Sequence, residues 1–150
     1  MSTHQSSVKE FMLAMGQPTP ENFSLQNFPF DLRAKLILEE ANEFNDACKN
    51  KDAIEIIDAI CDLLYVTYGA AIALGIDIDP YFEEVHRSNM SKLDPVTKLP
   101  IRREDGKILK PDSYSPPDIM SILKSKSITN ESDELKHFLQ IIFRKNNLLP

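Results

Sequence analysis

Two runs of acid constrain this chain more than any other feature. The first is Glu39-Glu40-Ala41-Asn42-Glu43, and the second is Glu55-Ile56-Ile57-Asp58 with Asp62 one turn later. Both lie in stretches with helical periodicity. At about 100° per residue, Leu32, Leu36, Ile37, Phe44 and Ala47 share one broad arc. Glu40 and Glu43 fall inside that arc, and Glu39 sits at its edge. In the second stretch Glu55, Asp58 and Asp62 fall within roughly 60° of one another, beside Ile54, Tyr65, Gly69 and Ile72. Carboxylates on an apolar face are costly unless compensated. Several meeting between two helices repel one another and take up protons. A hard divalent cation with oxygen ligands is the simplest compensation. Salt bridging is the plainer alternative, but Lys35, Lys49 and Lys51 lie off these arcs or beyond the helix ends.

The pattern around the acids predicts an all-α chain. Ser6 or Ser7 can cap a first helix carrying Val8, Phe11, Met12 and Met15 on one face and ending at Gly16. Gln17 to Pro29 is irregular, with three prolines among Phe23, Leu25 and Phe28. Its aromatic residues could stack on a base, but packing over the core is the simpler role. Asp31 is placed to cap a second helix running to about Lys49, and Asp52 a third running to about Leu74, with Gly75 ending it. The turn between these two helices is short, so they pack antiparallel and the acid runs face each other. The third helix is apolar nearly all round, as expected for the centre of a bundle or an interface between subunits.

Asp79 and Pro80 start a fourth helix. Residues 99–109 read as a small hairpin around Asp105-Gly106. From Ile119 a tail begins, with a linker at Lys124 to Asn130 and an apolar stripe of Leu135, Phe138, Leu139 and Ile142. The expected organisation is therefore one domain over 1–118 and a partly helical tail over 119–150.

Composition excludes several classes. A net charge of −6 without a basic patch argues against a nucleic-acid partner. No uninterrupted run of 18 apolar residues occurs, so no membrane association is expected. Met1 to Ser7 is polar and lacks a signal-peptide core. Cys48 and Cys61 form no metal motif and read as reduced thiols of a cytoplasmic protein. The four glycines form no phosphate-cradling loop, so phosphate handling must fall to metal and side chains.

EExxE followed by ExxD on two antiparallel helices, at Glu39, Glu40, Glu43, Glu55 and Asp58, resembles the all-α nucleoside triphosphate pyrophosphohydrolases. That superfamily includes MazG, the dimeric dUTPases and phosphoribosyl-ATP pyrophosphohydrolase. Asp62-Leu63-Leu64-Tyr65-Val66-Thr67-Tyr68-Gly69 and His86-Arg87-Ser88-Asn89-Met90-Ser91-Lys92 are similar to segments of the group. So are the hairpin and Tyr114-Ser115-Pro116-Pro117. The likeness runs from Val8 to Asp118. It departs in one place: Ala59 stands three residues before Asp62, so the ExxD lies a turn earlier and Asp62 is an additional acid.

The resemblance implies Mg²⁺-dependent hydrolysis (Mn²⁺ as a substitute) of a nucleoside triphosphate to monophosphate and pyrophosphate, in nucleotide-pool house-cleaning. It implies metal ligands among Glu40, Glu43, Glu55, Asp58 and Asp62. Glu39 or Glu40 would handle the attacking water, and Asn89 and Lys92 would contact substrate. A homodimer or a dimer of dimers is implied as well. Two rivals come from other classes. Glu83-x-x-His86 and Glu134-x-x-His137 formally match a ferritin-like di-iron recipe. A non-catalytic nucleotide-binding module of the same fold is the other.

Overall fold

The computed structural model describes residues 1–127. Its element order is α1 (Thr3–Ala14), α2 (Phe30–Asn50), α3 (Ala53–Ala73), α4 (Asp79–Met90) and α5 (Ile119–Ser127). The chain is all-α, with no named strand among the described residues. It divides into two compact units, Met1–Ile78 and Asp79–Pro150. The sequence-expected boundary at Asp118 falls inside the second unit.

In the first unit, α1 packs on α3, and α3 packs on α2. The α1 cap is Ser2, whose hydroxyl accepts from the Gln5 amide. Ser6 and Ser7 do not cap it, because their hydroxyls donate back to the Ser2 and Thr3 carbonyls. Asp31 does not cap α2 either. Pro29 occupies the cap without a side-chain bond, and Asp31 lies in the first turn, where its charge favours the helix N-terminus. Lys51 turns the chain in the left-handed region, and Asp52 then caps α3 by accepting from the Ile54 and Glu55 amides. A two-residue connection of this kind forces α2 and α3 antiparallel.

Val8, Met12, Ile72 and Ala73 form the core, with Phe28 and Tyr68 packed against them. Phe11 meets Tyr65 edge to face at 5.7 Å between ring centroids. Gln5, fully buried, donates to the Ile76 carbonyl and accepts from the Ile78 amide, tying α1 to the segment beyond α3. By length and composition α3 is apolar enough to cross a membrane, with mean hydropathy 1.6 over its window. Asp58 and Asp62 interrupt this helix, so it holds no unbroken run of 18 apolar residues. In this fold α1 and α2 pack against it, but Ile54, Ile57, Ile60 and Leu64 remain exposed.

The second unit is built on α4 and α5. Gly106, at φ +82°, makes the tight turn expected at Asp105-Gly106. The flanking segments meet in two isolated bridges, Leu93 with Pro100 and Arg102 with Ile108, not in a continuous hairpin ladder. Ser91 accepts from the Ser115 amide and donates to the Ser115 carbonyl, fastening the following segment to the end of α4. Glu84 accepts from Arg87 and from the Asp118 amide, and Arg87 also donates to the Pro116 carbonyl. Helix α5 runs through Ser127, so the linker expected from Lys124 is helical over its first residues. The stripe Leu135, Phe138, Leu139 and Ile142, with Glu134 and His137, lies outside the described residues.

Candidate functional site

The α2–α3 pair positions the acids. Gly69 of α3 lies against Arg33 of α2: a Cβ on Gly69 would stand 2.9 Å from Arg33 Nη1. Seven residues further along each helix, about two turns, come Glu40 on α2 and Asp62 on α3. Because the helices are antiparallel, the register that opposes Gly69 to Arg33 opposes Asp62 to Glu40. The electrostatics agree. The Glu40 carboxyl is raised above its ordinary value, first by partial burial, then by the charges of Glu43, Asp62, Glu39 and Asp58, in that order. Those five acids, drawn from both helices, share one negative field.

Two details refine the sequence expectation. Asp62 acts on Glu40 more strongly than Asp58 does. Glu55 is not among the groups acting on Glu40. The same register places it near Ala47, two turns along α2 from Glu40. The register thus sets Asp62 opposite Glu40 and leaves Glu55 two turns away.

Burial differs from the expectation. Glu40 is half-buried, whereas Glu39, Glu43, Glu55, Asp58 and Asp62 are exposed. The arc that carries the acids is covered only in part within one chain. Among the described residues no three Asp, Glu, His or Cys side chains stand close enough together to hold an ion as they are. The donor set still fits Mg²⁺. It is all oxygen, and among the described residues no Lys or Arg ion pair neutralises any of the six acids. The mutual repulsion on Glu40 is what a dication would relieve.

The remaining predicted residues lie in the second unit. Lys92 Nζ donates to Asn89 Oδ1 at 2.7 Å, so the two act as a pair at the end of α4. Tyr114 is acidified first by a hydrogen bond with Ser88 and then, more weakly, by the charges of Lys110 and Lys92. Glu83 and His86 are exposed on α4. Cys48 and Cys61 are free and exposed.

Sequence reasoning missed Arg33. It is buried, with Nη2 donating to Gln17 Oε1 at 3.3 Å and Nε without an acceptor among the described residues. Its pKa is lowered by burial. It belongs to the wall of a cavity of about 580 Å³ roofed by the segment between α1 and α2.

Comparison with known proteins adds three matches. A family model described as phosphoribosyl-ATP pyrophosphohydrolase matches residues 8–89. That span holds all six acids and Asn89, and ends before Lys92. A protein of Acanthamoeba polyphaga mimivirus, named only as uncharacterized, is 38% identical over 85 residues. The match covers 52% of this chain and 33% of that protein, so the chain spans about a third of that relative's length. A solved structure from Exiguobacterium sp. 255-15, provisionally named an NTP pyrophosphohydrolase, is 24% identical with a TM-score of 0.40, over 85% of this chain and 95% of that one.

Proposed function

Because the chain belongs to the phosphoribosyl-ATP pyrophosphohydrolase family, we propose that it cleaves a nucleoside triphosphate between the α and β phosphates, releasing a monophosphate and pyrophosphate in a Mg²⁺-dependent reaction. The observation that carries this reading is the shared field of Glu39, Glu40, Glu43, Asp58 and Asp62 across α2 and α3. Glu40, Glu43, Asp58 and Asp62 are the residues to hold Mg²⁺, with Glu55 at the edge of the set. Held by these carboxylates, Mg²⁺ would supply positive charge to offset the negative charge of the triphosphate and of the departing pyrophosphate. Glu39 or Glu40 orients the attacking water and accepts its proton. The water oxygen bonds to the α-phosphorus as the bond to the bridging oxygen breaks. Asn89 and Lys92 are the proposed substrate contacts, Lys92 as a point charge on phosphate.

The α3 face carrying Ile54, at 74% exposed, and Ile57, at 60%, calls for a cover. We assign it to a second copy of the chain, in a homodimer or a dimer of dimers. A monomer at micromolar concentration by light scattering would refute that assignment. We place the protein in the cytoplasm, where two free thiols persist, and assign the catalytic domain to residues 1–118.

The test is pyrophosphate release from a panel of NTPs and dNTPs with Mg²⁺, with Mn²⁺ and with chelator. Metal-dependent release of monophosphate and pyrophosphate is expected. Loss of a ligand worth several kcal/mol in the transition state should cost Glu43→Ala or Asp58→Ala at least about 100-fold in turnover, with circular dichroism unchanged. Near-normal turnover in either variant would overturn the assignment.

A further inference from the structure

Arg33 is the least expected residue of the first unit. It is 8% exposed, and among the described residues its Nε has no acceptor and no carboxylate pairs with it. Its hydrogen-bond partners are Gln17 Oε1 and, weakly, Met12 Sδ. Burying a guanidinium this way costs stability, yet the fold makes room for it. Gly69 faces Nη1 where any side chain would collide.

The cavity beside it has a distinctive wall. Arg33 brings the only formal charge among the described residues that line it. Thr19, Ser24 and Asn27 add neutral hydrogen-bonding groups, and Pro18 and Pro29 add flat apolar surface. About 580 Å³ is room for a heterocycle. Arg33 and Glu40 lie on one face of α2, and seven residues of helix separate them by about 10 Å. A ligand with its phosphates at the acids can therefore reach the cavity with its other end.

We propose that this cavity is the base subsite of the enzyme and that Arg33 selects an oxo over an amino substituent at the ring position that faces it. The proposal rests on the nucleotide-hydrolase reading above. Its chemistry follows from Arg33 being a donor only. Uracil and hypoxanthine present a carbonyl acceptor where cytosine and adenine, of equal size, present an amino donor. An amino group facing the guanidinium sets donor against donor and leaves both unpaired. Neutral Asn27, Ser24 and Thr19 complete the recognition without adding a competing charge.

Isosteric pairs give the test. Hydrolysis of UTP against CTP, and of ITP against ATP, should favour the oxo member at least about tenfold in kcat/KM, as a single well-made base contact does. Arg33→Met, which keeps length and apolar contact while removing the donors, should collapse both ratios toward one. Should Arg33→Met fail to fold, Gly69→Ala serves instead, because its Cβ displaces the guanidinium tip. Equilibrium dialysis of uridine and cytidine, without phosphates or metal, separates the two levels of inference. Uridine preference without hydrolysis of any triphosphate would sink the hydrolase reading and keep the subsite. Equal or amino-favoured ratios in wild type, or an oxo preference surviving Arg33→Met, would overturn the subsite.

Discussion

Gly75→Ala is a demanding test of how the first unit is held together. Gly75 has φ +72°, and a Cβ there would lie 2.1 Å from the Asn22 carbonyl oxygen and 2.5 Å from its carbon. Two costs follow. A left-handed residue carrying a Cβ costs roughly 1–2 kcal/mol. The clash is with backbone, which no rotamer change relieves, so the Asn22–Ser24 segment must move. That movement breaks the hydrogen bond from the Ser24 amide to the Leu74 carbonyl, 3.2 Å in length, worth about 0.5–1.5 kcal/mol. The expected loss is about 1.5–3.5 kcal/mol, the sum of these costs. Gly16→Ala is the control. Gly16 is also left-handed, at φ +67°, but nothing lies within 4 Å of its Cβ position, so only the conformational cost remains. Urea unfolding at one fixed protein concentration, with unchanged slope, reads both variants. A loss below about 0.5 kcal/mol for Gly75→Ala, within the usual surface range, would refute the reasoning. Ser24 lines the cavity, so the same displacement should raise KM.

Two further outcomes follow from charge. The Arg87 guanidinium and the Asp118 amide hold the Glu84 carboxyl down at about 2, against an ordinary value of 4.5. Its folded-state pKa is depressed, so its contribution is complete above 4.5 and fades as pH falls toward 2. Hydrogen exchange at the Asp118 amide, relative to its intrinsic rate at each pH, should therefore accelerate as pH falls to about 2 in wild type. In Glu84→Gln it should be fast throughout, and protection unchanged by this substitution would sink the account. Glu40 has the opposite sign. Its carboxyl is raised, so its ionised form weakens the metal-free fold above the usual carboxylate range. Glu40→Gln should raise the metal-free Tm at pH 7, and added Mg²⁺ should stabilise it far less than it stabilises wild type. A lower Tm without metal would contradict the repulsion described here.

What the sequence disclosed was local. Asp52 caps α3, Gly75 stops it, and Gly106 makes the turn, because each is decided by a few neighbouring residues. The facing of the acid runs followed from the two-residue connection between α2 and α3. Their burial did not follow, because periodicity shows which residues share a face but not how completely a partner covers it. Among three serines, any could cap α1, and the choice of Ser2 depends on where the Ser6 and Ser7 hydroxyls find carbonyls. Arg33 was illegible for a different reason. An arginine at a helix start ordinarily reads as solvated. Its burial depends on a glycine on another helix and on the segment that roofs the cavity.

The shared register of α2 and α3 also bears on how such a chain can change over time. One residue inserted between Arg33 and Glu40, or between Asp62 and Gly69, would rotate everything beyond it by about 100° and part the acids from the cavity. The segment from Gln17 to Pro29 carries no such phase. It can lengthen, shorten or exchange side chains while both helices keep their alignment. Diversification among relatives should therefore accumulate in that roof, altering what the cavity admits while leaving the spacing to the carboxylates untouched.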